Sequence, residues 1–342
     1  MIGRRAMLVG GLAAVLPRPA RAEAEAALRT RILKAFGPAL PMATGGDDPF
    51  ARYDHRFRSF ADRHWAADGP RWETANYYDR ARIYYIAWAR SGEPAWLQRA
   101  HALAVDYRDR YLIANRNQPS AHWAQMAGVL LHHWATGDAR SRDSLLAVAE
   151  AFSTPYFLAN LADTGAEMDN RMQARVLTSL LYAAAIRPGD ASLAARLRSA
   201  LAAILRSQAQ DGAFRFTRVQ CGGAKPFMTG MLVDALIEYH DQFESDPRIA
   251  PTIRRAIETS QSFWYLERDC QDEKREPAPD LNLMIVNGFG FTYARTGESV
   301  WRERGDRIFA AGVDKAWLQA SKIFNQTYAT AYRYPAYRAM RP

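Results

Sequence analysis

This sequence of 342 residues lacks the patterns that identify metal, nucleotide and membrane proteins. It contains no HExxH motif, no aspartate-rich calcium loop and no cluster of cysteine with histidine, so we expect neither a metal nor another cofactor. The glycine pair Gly222-Gly223 lacks the preceding strand that a phosphate-binding loop requires. After the first 22 residues, no apolar run is long enough to cross a bilayer, which argues against an integral membrane protein.

Lysine is scarce, since only five of the 45 basic residues are lysines and the rest are arginines. The formal net charge is +9, but no basic tract of the kind that follows a phosphate backbone occurs. We therefore expect no nucleic-acid partner. Arginine binds carboxylates and phosphates through paired hydrogen bonds, so a small or polymeric anionic ligand remains compatible with this composition.

The first 22 residues carry four arginines and no acid. Arg4-Arg5 precede the apolar run 6–16, and Ala20-Arg21-Ala22 has the A-x-A form of a signal-peptidase site. This pattern predicts a cleaved export signal over 1–22, compatible with the twin-arginine route, and a mature chain that is periplasmic or secreted. Cleavage removes four positive charges and no negative ones, so the net charge falls from +9 to +5.

Cysteine is the other scarce residue, with Cys221 and Cys270 the only two. In an oxidising compartment the two are able to form a disulfide, and two buried free thiols are the alternative. The sequence leaves both open.

A turn with glycine at its centre recurs after apolar segments, with an acid directly behind it: Gly92-Glu93, Gly137-Asp138, Gly189-Asp190 and Gly297-Glu298. Glycine adopts the positive φ that ends many helices, and an acid is favoured at the start of the next helix. These glycines are 45, 52 and 108 residues apart, so one turn lacks its glycine, and the stretch 244–247 fills that gap. A repeat of about fifty residues predicts helix pairs that bury their apolar faces against their neighbours.

The two helices of each predicted pair differ in composition. The helix before each turn is apolar on nearly every face, which predicts burial on every face: 124–134, 172–186, 228–239 and 281–293. The helix after the turn is amphipathic: 96–112, 142–152, 191–208, 248–266 and 300–313. We therefore predict an all-α fold, a single α/α toroid of about five to six helix pairs over residues 23–342, with the apolar helices inside.

The long connections all enter the apolar helices at their N-terminal ends. Helix N-termini present unpaired N–H groups and a positive dipole end, so this face of the toroid is predicted to favour negative charge. Aromatic rings, amides, arginines and a histidine are concentrated there, as a sugar-binding cleft requires: Trp72, Tyr77, Tyr78, Trp123, Gln173, Lys225 and Arg333 beside His122, Asn170 and Arg171.

The helix-pair repeat from about residue 70 to 330, together with the export signal and this composition, resembles the carbohydrate-active α/α toroid enzymes. These include polysaccharide lyases of the alginate-lyase type and several glycoside hydrolases. The resemblance to the lyases implies β-elimination on a uronate-containing, acidic polysaccharide. Asn170 and Arg171 would then neutralise the carboxylate, His122 would act as base and Tyr78 or Tyr77 as acid. Lys225 and Arg333 would hold neighbouring uronates.

Two alternatives remain open at this point. A glycoside hydrolase needs two carboxyl groups, one of them protonated, and several acids lie on the same face: Asp79, Glu167, Asp169 and Asp280. Each of these also stands at the start of a helix, where capping alone accounts for an acid. The second alternative is a toroid that binds glycans without cleaving them. The oligomeric state is not predicted.

Overall fold

The computed structural model describes residues 18–162, 168–215, 225–259, 265–267, 275–277 and 279–340. Over these residues the secondary structure is helical, apart from a bridge residue at Met168, an isolated bridge between Gln208 and Phe214 and one short antiparallel ladder. The ladder pairs β1 (Tyr265–Glu267) with β2 (Arg275–Pro277). The predicted all-α class is confirmed.

In chain order the α-helices of the described ranges are α1 (Arg18–Phe36), α2 (Pro49–Asp68), α3 (Glu73–Asn76), α4 (Arg80–Ser91), α5 (Pro94–Tyr107), α6 (Ala127–Thr136), α7 (Ala139–Phe152), α8 (Pro155–Asn160), α9 (Asn170–Ile186), α10 (Ala191–Arg206), α11 (Pro226–Gln242), α12 (Ile249–Thr259), α13 (Val286–Thr296), α14 (Ser299–Lys315), α15 (Ser321–Tyr328) and α16 (Tyr334–Ala339). A π-helical turn, Arg108–Ile113, extends α5. Short 3-10 segments cover Ala121–Trp123, Pro279–Met284 and Ala331–Arg333.

The four glycine turns have the predicted conformation. Gly92, Gly137, Gly189 and Gly297 have φ values of 79°, 72°, 89° and 70°. Three of them, all but Gly189, donate their N–H to the carbonyl four residues earlier, which closes the last turn of the preceding helix. Acidic side chains after the glycines cap the N-termini of the next helices. At α7, for example, the carboxylate of Asp138 accepts a hydrogen bond from the N–H of Ser141 at 2.7 Å.

The helices before the glycine turns are buried on all sides. In α4, every residue from Arg80 to Arg90 is buried. The helices after the turns bury one face: in α10 the buried positions include Leu193, Leu197 and Ala200, at helical spacing. Two predicted boundaries are wrong. The amphipathic pattern extends to Leu266, but α12 ends at Thr259 and Leu266 lies in β1. The apolar helix predicted from residue 281 begins at Val286, after the 3-10 segment Pro279–Met284.

The apolar helices contact one another in chain order: α4 with α6, α6 with α9, α9 with α11 and α11 with α13. Each amphipathic helix packs on the apolar helix before it. At the end of the chain, α2 contacts both α14 and α15, and α15 contacts α4. Contacts therefore run from the last helix pair back to the first.

Helix α1 lies across the end of the array where the glycine turns are. The Nε of Arg29 donates to the carbonyl of Ala89 near the end of α4, at 3.1 Å. The guanidinium of Arg31 lies 3.9 Å from the ring centroid of Trp134, near the end of α6. The buried ring of Phe36 packs against Trp134 and Tyr182. This end is covered, so access to the centre comes from the N-terminal ends of the apolar helices.

Some predictions concern residues outside the described ranges. These are most of the export signal, both cysteines (Cys221 and Cys270), and Glu167. In the ranges that the structure does cover, no helix combines the length and the apolarity needed to span a bilayer.

The turn glycines give a direct test of the backbone argument. A methyl group added at Gly137 would meet no heavy atom within 4 Å, so Gly137→Ala isolates the cost of positive φ. We expect the free energy of unfolding, measured by urea denaturation, to fall by about 1 kcal/mol. Gly45→Ala is the matched control, because that site is equally open and lacks a positive φ. Equal effects at the two positions would contradict the argument.

Candidate active site

A cavity of about 100 Å³ lies among the apolar helices, and its lining includes residues at their N-terminal ends, such as Tyr78, Ala124 and Ala174. Its lining contains more polar and charged groups than is usual for the centre of a helical array. The polar lining residues are Tyr78, Asp79, Arg82, Gln125, Arg175, Thr178, Tyr182, Asp234, Glu238, Gln326 and Thr330.

The backbone at one wall of the cavity is strained. Tyr78 and Asp79 have φ values of 71° and 61°, in the left-handed region that residues other than glycine seldom adopt. The Asp79 carboxylate holds this turn, because it accepts hydrogen bonds from the N–H groups of Arg82 at 3.0 Å and Gly128 at 2.9 Å. Gly128 allows this approach, since a Cβ there would lie 2.6 Å from an Asp79 oxygen. Such strain is concentrated at functional sites.

A chain of polar contacts lies near the mouth. The Nε2 of His122 is 3.5 Å from an Asp169 oxygen, and the same oxygen accepts from Arg171 at 2.9 Å. Arg171 also donates to the hydroxyl of Tyr77 at 2.9 Å. Tyr77 and Tyr78 meet edge to face, with ring centroids 4.8 Å apart. Histidine, phenol hydroxyls and an ion pair are thus gathered in one place.

These surroundings change the protonation of two groups. Partial burial lowers the pKa of His122, the charges of Arg171 and Arg175 lower it further, and Asp169 opposes them. At neutral pH the imidazole is therefore neutral and able to accept a proton. Burial, followed by the neighbouring Tyr77, raises the pKa of Tyr78 to about 12, so its phenol keeps its proton.

An aromatic surface continues outward from this cluster. The ring of Trp123 lies 4.8 Å from that of Tyr77 and 5.6 Å from that of Trp72, and Trp72 stacks on Tyr111 at 4.4 Å. Flat apolar faces of this kind suit the apolar faces of sugar rings.

The floor of the cavity is a buried ionic network. Glu238 accepts hydrogen bonds from Arg82 at 2.6 Å, Arg333 at 2.6 Å and the hydroxyl of Tyr182 at 2.5 Å. Burial alone would raise the pKa of Glu238, but the two guanidinium groups outweigh it and lower this pKa. Glu238 therefore stays ionised.

Two further carboxyl groups line the same cavity. Asp234 accepts from Asn287 at 2.8 Å and from Thr330 at 2.6 Å. Burial raises the pKa of both Asp234 and Asp79, against the opposing effect of nearby hydrogen bonds and arginines.

The structure brings many of the residues singled out in the sequence together. His122, Tyr77, Tyr78, Asp169 and Arg171 form one cluster, with Asp79, Trp123 and Trp72 beside it. Lys225 directly precedes α11, at the same end of the array.

Other candidates lie elsewhere. Asn170 and Gln173 are fully buried and bonded to each other at 2.9 Å, so they support α9 and do not face the cavity. Arg333 is fully buried in the network with Glu238 and not at the mouth. Asp280 accepts from the N–H of Trp317 at 3.2 Å and does not line the cavity.

Four charged residues inside the apolar helices line the cavity and were not among the candidates predicted from the sequence: Arg82, Arg175, Asp234 and Glu238. The signal was present, because a charge in a helix buried on every face is rarely tolerated unless it is paired or functional.

No family model matches this chain, and no curated protein matches it. Among solved structures, the chain is similar to the Lin0763 protein from Listeria innocua, with a TM-score of 0.53 and 12% identity. The match covers 91% of this chain and 96% of that one. At this identity the likeness concerns the fold alone.

The protonation of His122 is directly measurable. In an NMR titration of the imidazole protons we expect a pKa below the usual value of 6.5. Asp169→Asn should lower it further, because the carboxylate favours the charged imidazolium and asparagine still caps α9. Asp143→Asn, at an exposed site, is the control and should leave the His122 titration unchanged. An increase in this pKa in Asp169→Asn would contradict the assignment.

Proposed function

We propose that the helices form an α/α toroid of about six pairs over residues 23–342, with the cavity at its centre. The order of contacts supports this arrangement, since each apolar helix meets the next and α2 and α15 connect the last pair to the first.

For the chemistry we propose a polysaccharide lyase that cleaves an acidic, uronate-containing glycan by β-elimination. One observation carries this proposal: a neutral imidazole, His122, and a protonated phenol, Tyr78, belong to the same cluster beside the cavity. Elimination needs a base and an acid of these kinds within reach of one sugar.

In the proposed step His122 removes the C5 proton of the uronate and Tyr78 donates its proton to the departing O4. The C5–H and C4–O4 bonds break, and a C4=C5 double bond forms. His122 gains one proton and Tyr78 loses one, so the step is balanced. Proton exchange with water then restores both residues to their starting states. Asp169 orients the imidazole through Nε2, which leaves Nδ1 to accept the proton. Arg171 and Arg175 place positive charge close to this base.

Trp72 and Trp123 are proposed to bind sugar units next to the cleaved bond, with Tyr77 supporting Trp123. The rings of Trp72 and Trp123 are partly exposed and meet edge to face, and the buried ring of Tyr77 meets Trp123 in the same way. Such a row offers successive flat surfaces to a glycan chain.

The periplasmic or secreted location remains a proposal based on the sequence of residues 1–22. The buried residues of α1, Ile32 and Phe36, lie beyond that segment. Cleavage after Ala22 would therefore leave the contacts that α1 makes through these residues in place.

The lyase proposal is tested by incubating the protein with alginate, glucuronan, pectate and glycosaminoglycans. We expect new absorbance near 235 nm (approximate) from the unsaturated product of elimination. His122→Ala and Tyr78→Phe should each lower kcat by about a hundredfold or more, because each removes a proton-transfer group. The acid limb of kcat/KM should report the lowered pKa of His122, with activity lost as pH falls through it.

His55→Ala is the matched control, because His55 lies on α2, away from the cavity lining. It should retain full activity. Full activity in His122→Ala and Tyr78→Phe would refute the assigned roles, and binding of a glycan without any product would favour a binding toroid.

A glycoside hydrolase is the second candidate, because Asp79 and Asp234 line one cavity and burial raises the pKa of both. A raised pKa is what a general-acid carboxyl needs. This candidate predicts new reducing ends without absorbance near 235 nm (approximate). It also predicts that Asp79→Asn or Asp234→Asn abolishes turnover while His122→Ala does not.

A further inference from the structure

Arg175 lies on α9 with its side chain in the cavity and is only 6% exposed. Two contacts fix its guanidinium. Nη1 donates to the carbonyl of Ala124 at 3.1 Å, and the group lies over the ring of Tyr77, 5.3 Å from its centroid. The side chain is therefore held in one orientation.

The other edge of this guanidinium makes no hydrogen bond within the described residues. Neither Nε nor Nη2 of Arg175 has a hydrogen-bond partner among the described residues, carboxylates included. The N–H groups of Nε and Nη2 point the same way along one edge of the planar group. This edge matches the two oxygens of a carboxylate, which it binds by paired hydrogen bonds.

The neighbouring acids do not fill this edge. Both oxygens of Asp79 accept from backbone N–H groups, those of Arg82 and Gly128. Glu238 is taken by Arg82 and Arg333. Burying a guanidinium whose N–H groups make no hydrogen bond costs free energy. We therefore expect the Nε–Nη2 edge of Arg175 to receive a hydrogen-bond acceptor that is not among the described residues.

A second unpartnered donor lines the same cavity. The Oε1 of Gln125 accepts from the backbone N–H of Asp79, which fixes the amide, while its Nε2 has no partner among the described residues. Gln125 is buried in the cavity lining, so this N–H does not reach bulk water.

We propose that the Nε–Nη2 edge of Arg175 binds the carboxylate of an acidic sugar, with the Nε2 of Gln125 donating to a neighbouring oxygen of the same unit. The identification of the ligand as a sugar rests on the proposed function. The identification of its binding group as a carboxylate rests on the geometry of Arg175 and Gln125. Arg175 then takes the neutralising role that the sequence suggested for Asn170 and Arg171.

The size and the charge of the cavity are compatible with one such unit. A volume of about 100 Å³ corresponds to roughly seven to ten water-sized positions, which is room for the carboxylate of a sugar and the ring atoms next to it. Of the acids that face it, Glu238 is neutralised by two arginines. The raised pKa values of Asp79 and Asp234 reduce the repulsion that an incoming carboxylate meets.

The test is isothermal titration calorimetry with pairs of sugars that differ only at C6: glucuronate with glucose, galacturonate with galactose and mannuronate with mannose. We expect at least one acidic sugar to bind at least about tenfold more tightly than its neutral partner, as charge-assisted paired hydrogen bonds require. Equal binding within all three pairs, or no binding at all, would overturn the proposal.

Two variants assign the effect to this edge. Arg175→Met keeps the stem and removes the guanidinium, and it should abolish the preference for the acidic sugar. Gln125→Glu keeps the acceptor for Asp79 and places a carboxylate in the cavity, which should weaken acidic-sugar binding at least about tenfold. Arg142→Met is the control, because Arg142 is exposed on α7 and pairs with Asp143. Unchanged preference in both cavity variants would overturn the assignment.

This binding test separates the two proposals. Selective binding that depends on Arg175, without elimination on any polyuronate, would leave the carboxylate site standing and refute the lyase. Elimination activity with acidic-sugar binding that is the same in Arg175→Met would leave the lyase standing and refute the role of Arg175.

Discussion

The ion pairs of Glu238 with Arg82 and Arg333 are the interaction on which the rest of the structure depends. They join α4, α11 and the segment before α16, and the hydroxyl of Tyr182 adds α9. Buried charges are tolerated only when they are paired and hydrogen-bonded, and removing one partner leaves an uncompensated charge. The apolar helices therefore cannot pack directly against one another around Glu238. The centre of the array is polar, with α1 covering the end at the glycine turns and the N-termini of the apolar helices at the other end.

The floor and the upper wall of this centre differ in one respect. On the floor, the oxygens of Glu238 are bonded to protein groups. On the upper wall, Arg175 and Gln125 keep N–H groups that meet no partner in the described chain. Strained backbone at Tyr78 and Asp79 lies on the same wall. Single N–H groups on Arg82 and Arg333 also lack a partner in the described chain, but both of these guanidinium groups pair with Glu238. Arg175 pairs with no described carboxylate, and an unpaired buried guanidinium together with backbone strain beside a cavity is a feature of a binding site.

Much of the fold could be predicted from the sequence, because glycine turns and helical periodicity are local signals. The end of α12 was missed, since the amphipathic pattern continues into β1. In the site, side-chain direction decided the outcome. Asn170 and Gln173 lie one turn apart on a face of α9 that points away from the cavity, whereas Arg171 and Arg175 share the opposite side. The sequence shows which residues stand at the start of a helix, but it does not show which face of that helix borders the cavity.

The most direct test of the account is a crystal structure of His122→Ala with a bound oligouronate. The account predicts one sugar unit in the central cavity, its carboxylate within hydrogen-bond distance of Nε and Nη2 of Arg175 and its C5 facing position 122. An oligosaccharide bound with its carboxylate in solvent, or bound outside the cavity, would contradict it.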